Sequence, residues 1–178
     1  MLFDPFEKRN CRDIRNNLGT FFVKAIQTRQ IQLFQTCIKP QLTKDSENHI
    51  KDYIQNRMDC LEKILIQMET FEIQPDNLFS IAVILWNHKL FFEFHEWLEK
   101  KWLTAEGHYK KALQAMILAA VVYELLLYKR VLPAKKVAAK AVLIFKQQRD
   151  RIPVPFDPDL FIRKLTALDP VPPKFNLI

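Results

Sequence analysis

The sequence predicts an all-α protein, a compact helical bundle of about seven helices. Three observations carry that expectation. Only two glycines occur in 178 residues, against about a dozen at ordinary usage, and both strand hairpins and phosphate-cradling loops lean on glycine. Apolar residues recur at spacings of three and four along most of the chain, the period of one helix face. Prolines fall in clusters with long proline-free stretches between them, which suits uninterrupted helices.

Taken in order, Asp4-Pro5 is expected to start a helix, an N-cap followed by proline at the first helical position. From Ile14 the residues Leu18, Phe21, Phe22, Ala25 and Ile26 form a stripe. A break at 28–30 lets a second short helix run through Leu33, Phe34, Cys37 and Ile38 towards Pro40. The polar run "TKDSEN" reads as a loop with an N-cap at Asp45 or Ser46. A long helix follows, with Ile50, Tyr53, Ile54, Arg57, Leu61, Ile64, Leu65 and Met68 largely on one face. "EIQPDN", residues 72–77, is the clearest internal boundary, because proline disfavours a helical conformation in the residue before it. It divides an N-terminal helical extension, residues 1–74, from a helical bundle, residues 75–178.

Within the second part a helix runs to about Trp86, a turn follows at Asn87 to Lys89, and another helix reaches about Thr104. Gly107 is expected to open a loop before an apolar helix over 109–128. Pro133 then begins a basic amphipathic helix that ends near Arg151. A short helix carrying Leu160, Phe161, Leu165 and Leu168 follows "PVPFDP", and "PVPPKFNLI" reads as an extended tail.

Charge narrows the partner classes. The net charge is +7, and the whole excess lies in residues 129–151, which hold eight basic residues and one acid. Nucleic acid could be met through Lys135, Lys136 and Lys140, but Phe145 falls on the apolar side of the same helix, so base stacking is poorly provided for. A solvated outer face of a bundle helix is the preferred reading. The most apolar run, "ALQAMILAAVVYELLLY", is interrupted by Gln114 and Glu124, so it is expected to be a buried central helix rather than a membrane span. No membrane partner is expected, and a homo-oligomer is compatible with the sequence. Cys11, Cys37 and Cys60 are far apart with no C-x-x-C spacing. The charged start "MLFDPFEKRNCRD" lacks the apolar core of a signal peptide. A reducing cytoplasm is the expected setting, with each cysteine a small packed hydrophobe that has no histidine near it in sequence.

The chemistry concentrates in "FFEFHEWLEKKW", residues 91–102. His95 and Glu99 are four apart and Trp102 is seven from His95, so the three share a helix face. Glu93, Glu96 and Lys100 lie on a neighbouring flank. Phe91, Phe94, Trp97 and Leu98 cover most of the remaining girth, so His95 and Glu99 are expected to be desolvated. A buried carboxylate without a partner costs far more than a surface pair returns. Glu99 must therefore be hydrogen-bonded, paired, protonated or bound to metal. The expected arrangement is a structural polar cluster of Glu93, His95, Glu96, Glu99, Trp102 and Gln114 that fixes helix register without a cofactor. The indole N–H groups of Trp97 and Trp102 are available to its carboxylates.

The alternative is a metal-dependent or acid–base hydrolase-type enzyme using His95, Glu96 and Glu99. A divalent metal ion would then be held by His95, Glu99 and Glu124. Familiar patterns are not completed. A zincin needs H-E-x-x-H, whereas "HEWLE" places Glu99 at the second histidine. A di-iron bundle needs two E-x-x-H pairs, and "EFH" is one residue short. The scaffold or interaction module is therefore preferred.

"LWNHKLFFEFHEWLEKKW" followed by "GHYKKALQAMILAAVVYELLLYKR" resembles domain of unknown function family 309, whose pattern is an aromatic pair, E-x-H-E-x-x-E-x-x-W, a glycine, then L-Q on the next helix. Phe91, Phe92, Glu93, His95, Glu96, Glu99, Trp102, Gly107, Leu113 and Gln114 match it, over about residues 80–150. The resemblance implies a compact helical bundle with shared polar residues and carries no activity. Lys89 stands where members usually turn on glycine, Ala115 replaces a glycine after the glutamine, and Glu124 sits where many have histidine.

Overall fold

The computed structural model describes residues 2–43 and 46–177. Eight α-helices are present among them: α1 (Arg9–Thr28), α2 (Ile31–Ile38), α3 (Asn48–Thr70), α4 (Leu78–Asn87), α5 (Phe91–Thr104), α6 (Gly107–Leu127), α7 (Val131–Gln147) and α8 (Pro158–Thr166). Single 3₁₀ turns follow α2 and α7, and no strand occurs among the described residues. The all-α class and the helical bundle are as expected, with one helix more than the anticipated seven or so. The chain forms two compact units, Met1–Asn77 and Leu78–Ile178.

With so few glycines, the helices end by another device. Arg29, Glu72, Lys89, Lys129 and Leu168 all have positive φ. Each is followed by a residue whose N–H reaches five residues back, as in Gln30 to Ala25, Leu90 to Leu85 and Arg130 to Leu125. This is the Schellman pattern, in which a left-handed residue lets two amides satisfy the last carbonyls of the helix. Glycine is the usual occupant because a side chain costs about 1 kcal/mol or more there. The chain accepts that cost at five helix ends, and tight turns follow.

The first unit contains α1, α2 and α3. Leu18, Phe22 and Ile26 of α1, Phe34 of α2, and Ile54, Leu61 and Ile64 of α3 are buried, which reproduces the sequence stripes. Phe22 and Phe34 meet edge to face at 5.6 Å between ring centroids. Asp4 caps a turn rather than α1: its carboxylate accepts from the amides of Phe6 at 2.8 Å and Glu7 at 3.2 Å, and α1 begins only at Arg9. Asp45, a candidate N-cap of α3, lies outside the described residues. Ser46 does not cap either, because its hydroxyl donates to the Gln41 carbonyl at 2.7 Å. Glu47 holds the N-cap position without a side-chain bond.

In the second unit α6 lies between α5 and α7, and α8 packs on α7. Trp86 of α4 is the centre of its core. The ring is fully buried and meets Phe91, Phe94, Tyr123, Phe161 and Phe175 with centroids 5.0 to 6.1 Å away. Two boundaries differ from expectation. Gly107 begins α6 instead of preceding it by a loop, and α7 starts at Val131 with Pro133 in its first turn, where a missing N–H costs no helical bond. The tail after α8 is extended, as expected, yet Phe175 is buried.

Candidate functional site

The orientation of α5 decides which polar residues face inward. Phe91, Phe94, Trp97 and Leu98 are buried, and so is Glu93, with no accessible surface. At 100° per residue Glu93 falls beside Trp97, four positions on, inside the buried arc. His95, Glu96 and Glu99 occupy the edge of the opposite arc and are partly exposed. Their desolvation, expected from the aromatic content of the helix, is corrected here: the side chains of His95 and Glu99 are 25% and 42% exposed. The carboxylate that bears the cost of burial is Glu93, not Glu99.

His95 Nε2 lies 3.7 Å from Glu99 Oε2, a pair formed along one helix. One donor atom from each of His95, Glu96 and Glu99 falls within 4.8 Å of the others. Glu124, expected as a ligand, does not join this group. Its neighbour Tyr123 stacks on Phe91 with centroids 5.5 Å apart, which places that turn of α6 level with the start of α5. Glu99 lies eight residues further along, roughly 12 Å at the helical rise. Glu124 is itself buried.

The tryptophans do not serve carboxylates. Trp97 Nε1 donates to the Leu78 carbonyl at 2.9 Å, tying α5 to the start of α4. Trp102 Nε1 is buried with no hydrogen-bond partner among the described residues, and the ring instead takes the Lys110 ammonium 4.7 Å above its face, a cation–π contact. Gln114 is half-buried on α6. Burial lowers the pKa of Lys100, and the Glu96 carboxylate partly opposes the shift. Burial raises the Tyr123 phenol, and the charge of Asp169 adds to the effect.

Other polar contacts lie too far apart in sequence for spacing to reveal them. Trp86 Nε1 donates to the Pro173 carbonyl at 2.7 Å. Asn87 clamps the Phe175 backbone, donating to its carbonyl at 2.7 Å and accepting from its N–H at 3.2 Å. His108 Nδ1 lies 2.8 Å from Gln148 Oε1. In the first unit the fold brings His49 Nε2 to 3.9 Å from the Cys11 thiol, with Glu47 3.4 Å from His49 Nδ1. Cys11 is 1% exposed and belongs to the packed interior. Burial raises the Cys37 thiol despite a hydrogen bond from Asn17. On α7, Lys135, Lys136 and Lys140 are exposed, whereas Ala134, Ala138, Ala141 and Phe145 face the core.

No helix among the described residues is long and apolar enough to cross a membrane. Residues 79–137 match the family described as Domain of unknown function (DUF309). The match runs from α4 through α5 and α6 into α7 and includes Glu93, His95, Glu96, Glu99, Trp102 and Gln114. No curated protein and no solved structure matches the chain.

Proposed function

We propose, starting from the DUF309 match of residues 79–137, that this protein is a non-catalytic helical scaffold or interaction module whose polar side chains fix how its helices pack. The family description names no activity, so the reading rests on how those side chains are used. One observation carries it. The indoles of Trp86 and Trp97 and the amide of Asn87 are all spent on backbone groups of distant segments, at 2.7 to 2.9 Å for the donated bonds. Side chains held this way set register: losing the Trp86 or Trp97 bond would strand an indole N–H in the packed interior at about 1–3 kcal/mol, while Asn87 holds the tail from an exposed position.

A second reading is favoured by the convergence of His95, Glu96 and Glu99 donor atoms within 4.8 Å. One imidazole nitrogen and two carboxylate oxygens suit zinc or manganese. A cation there, with open positions, would support hydrolase-type chemistry by activating water. Elemental analysis of protein purified without a histidine tag separates the two. The scaffold reading expects no stoichiometric metal; near-equimolar zinc, manganese or iron, lost in His95→Ala, overturns it in favour of the second.

A further inference from the structure

We propose that the groove between α7 and α8 is a docking site for an acidic protein segment that inserts a bulky apolar side chain, a proposal that rests on the interaction-module reading and names the surface and partner it lacks. The groove encloses about 230 Å³ and is lined by Lys135, Ala138, Ala139 and Val142 of α7 with Leu165 of α8 and Leu168 just beyond its end. Its depth follows from the alanines, whose methyl groups leave room where larger side chains would close the gap. The outer face of α7 continues the apolar surface. Leu132 and Leu143 are 75% and 58% exposed, and at a spacing of eleven residues they lie on one line of the helix with Lys136 and Ala139 between them.

The charges around this surface are unneutralised. Lys135, Lys136, Lys140 and Lys146 are all exposed and have no acidic partner among the described residues. Two charge pairs lie close by, Lys164 with Asp169 at 2.7 Å and Arg149 with Asp159, and neither includes a lysine of α7. Exposed leucines beside unpaired lysines call for a partner that is apolar and acidic together. A planar lipid surface meets exposed side chains but cannot reach a concave floor. Nucleic acid would find the positive charge but no exposed ring on α7 for stacking. An amphipathic acidic segment satisfies both the floor and the rim.

Fluorescence anisotropy with the full chain tests this. The probe is a labelled synthetic helix with leucines at i, i+3, i+4 and i+7 and glutamates elsewhere. Parallel titrations use the same peptide with lysine for glutamate, the same peptide with serine for leucine, oligouridine, and phosphatidylserine vesicles. The glutamate–leucine peptide should bind, weaken with salt, and lose about tenfold or more in affinity, the equivalent of about 1.4 kcal/mol, in both Lys135→Glu/Lys140→Glu and the groove-filling Ala139→Trp. All three positions are exposed, and unchanged circular dichroism confirms that each variant folds. No binding at low salt overturns the proposal, as does equal binding of the serine peptide or preferential binding of oligouridine or vesicles. Peptide failure with metal-free protein removes this surface alone, whereas stoichiometric metal removes the scaffold reading beneath it.

Discussion

Glu93 and Glu99 stand six residues apart on α5, and the fold treats them as opposites. Glu93 is enclosed with Trp97 on the buried arc, while Glu99 keeps 42% of its side chain in solvent beside His95. Sequence spacing places both on a helix rich in aromatic residues, but the direction of the core depends on α4 and α6, which local period does not specify. The energetic consequences differ accordingly. Glu99→Gln should cost less than about 1 kcal/mol in urea denaturation, since even a fully charged pair contributes little when partly exposed. Trp97→Phe should cost about 1–3 kcal/mol, because it removes the N–H that donates to the Leu78 carbonyl together with part of a buried ring system. A larger loss in Glu99→Gln than in Trp97→Phe would contradict this ordering. Trp86 is visible in the sequence only as an apolar residue. Its indole bond spans 87 residues, from α4 to Pro173, and no spacing rule reaches that far.

Helix endings carry the next level of information. The turn at Asn87 to Lys89 is legible because apolar periodicity breaks there, and the structure shows how it is made: Lys89 sits at φ 58° as the left-handed residue of a Schellman cap. Glycine is the usual occupant of such a left-handed position, because it has no Cβ to clash. Lys89→Gly should therefore raise stability by about 0.5–1 kcal/mol. Gly107→Ala should act in the other direction. Gly107 has φ +57° with no atom near an added Cβ, so the cost of about 1 kcal/mol is purely conformational. Thermal melts of the two variants should move apart; a shift of both in the same direction would exclude the backbone explanation. Asp157, followed by Pro158, caps α8 by accepting from the amides of Asp159 and Leu160. Asp4-Pro5 has the same appearance but caps only a turn. The two cases part at the next few residues: the apolar stripe of α8 starts immediately beyond its cap, whereas that of α1 starts further on.

At the scale of the whole molecule, the proline-bearing stretch at 72–77 coincides with the end of α3 and the start of α4, and contacts cluster on either side of Asn77. Glu72, Gln74, Asp76 and Asn77 are exposed, so limited proteolysis should cut there first. The fragment 78–178 should keep a helical circular dichroism spectrum and a cooperative melt, since the rings that meet Trp86 all belong to it. A fragment that melts without cooperativity would show that the division is only geometric. Helix positions and this boundary are readable from sequence because both follow from local chemistry. The packing of Phe175, the meeting of Cys11 with His49, and the level of Glu124 relative to Glu99 are not, because each depends on how separate helices come together.

If the polar residues of α4 and α5 serve packing rather than a bound cation, added metal should leave the folded state no more stable than before. Thermal denaturation of the full chain and of His95→Ala, each with zinc and with EDTA, tests this most directly, because a ligand that binds only the folded state raises the melting temperature. The full chain should show one melting temperature in both conditions, and the variant a small, zinc-independent shift. A rise with stoichiometric zinc that His95→Ala abolishes would contradict the packing role.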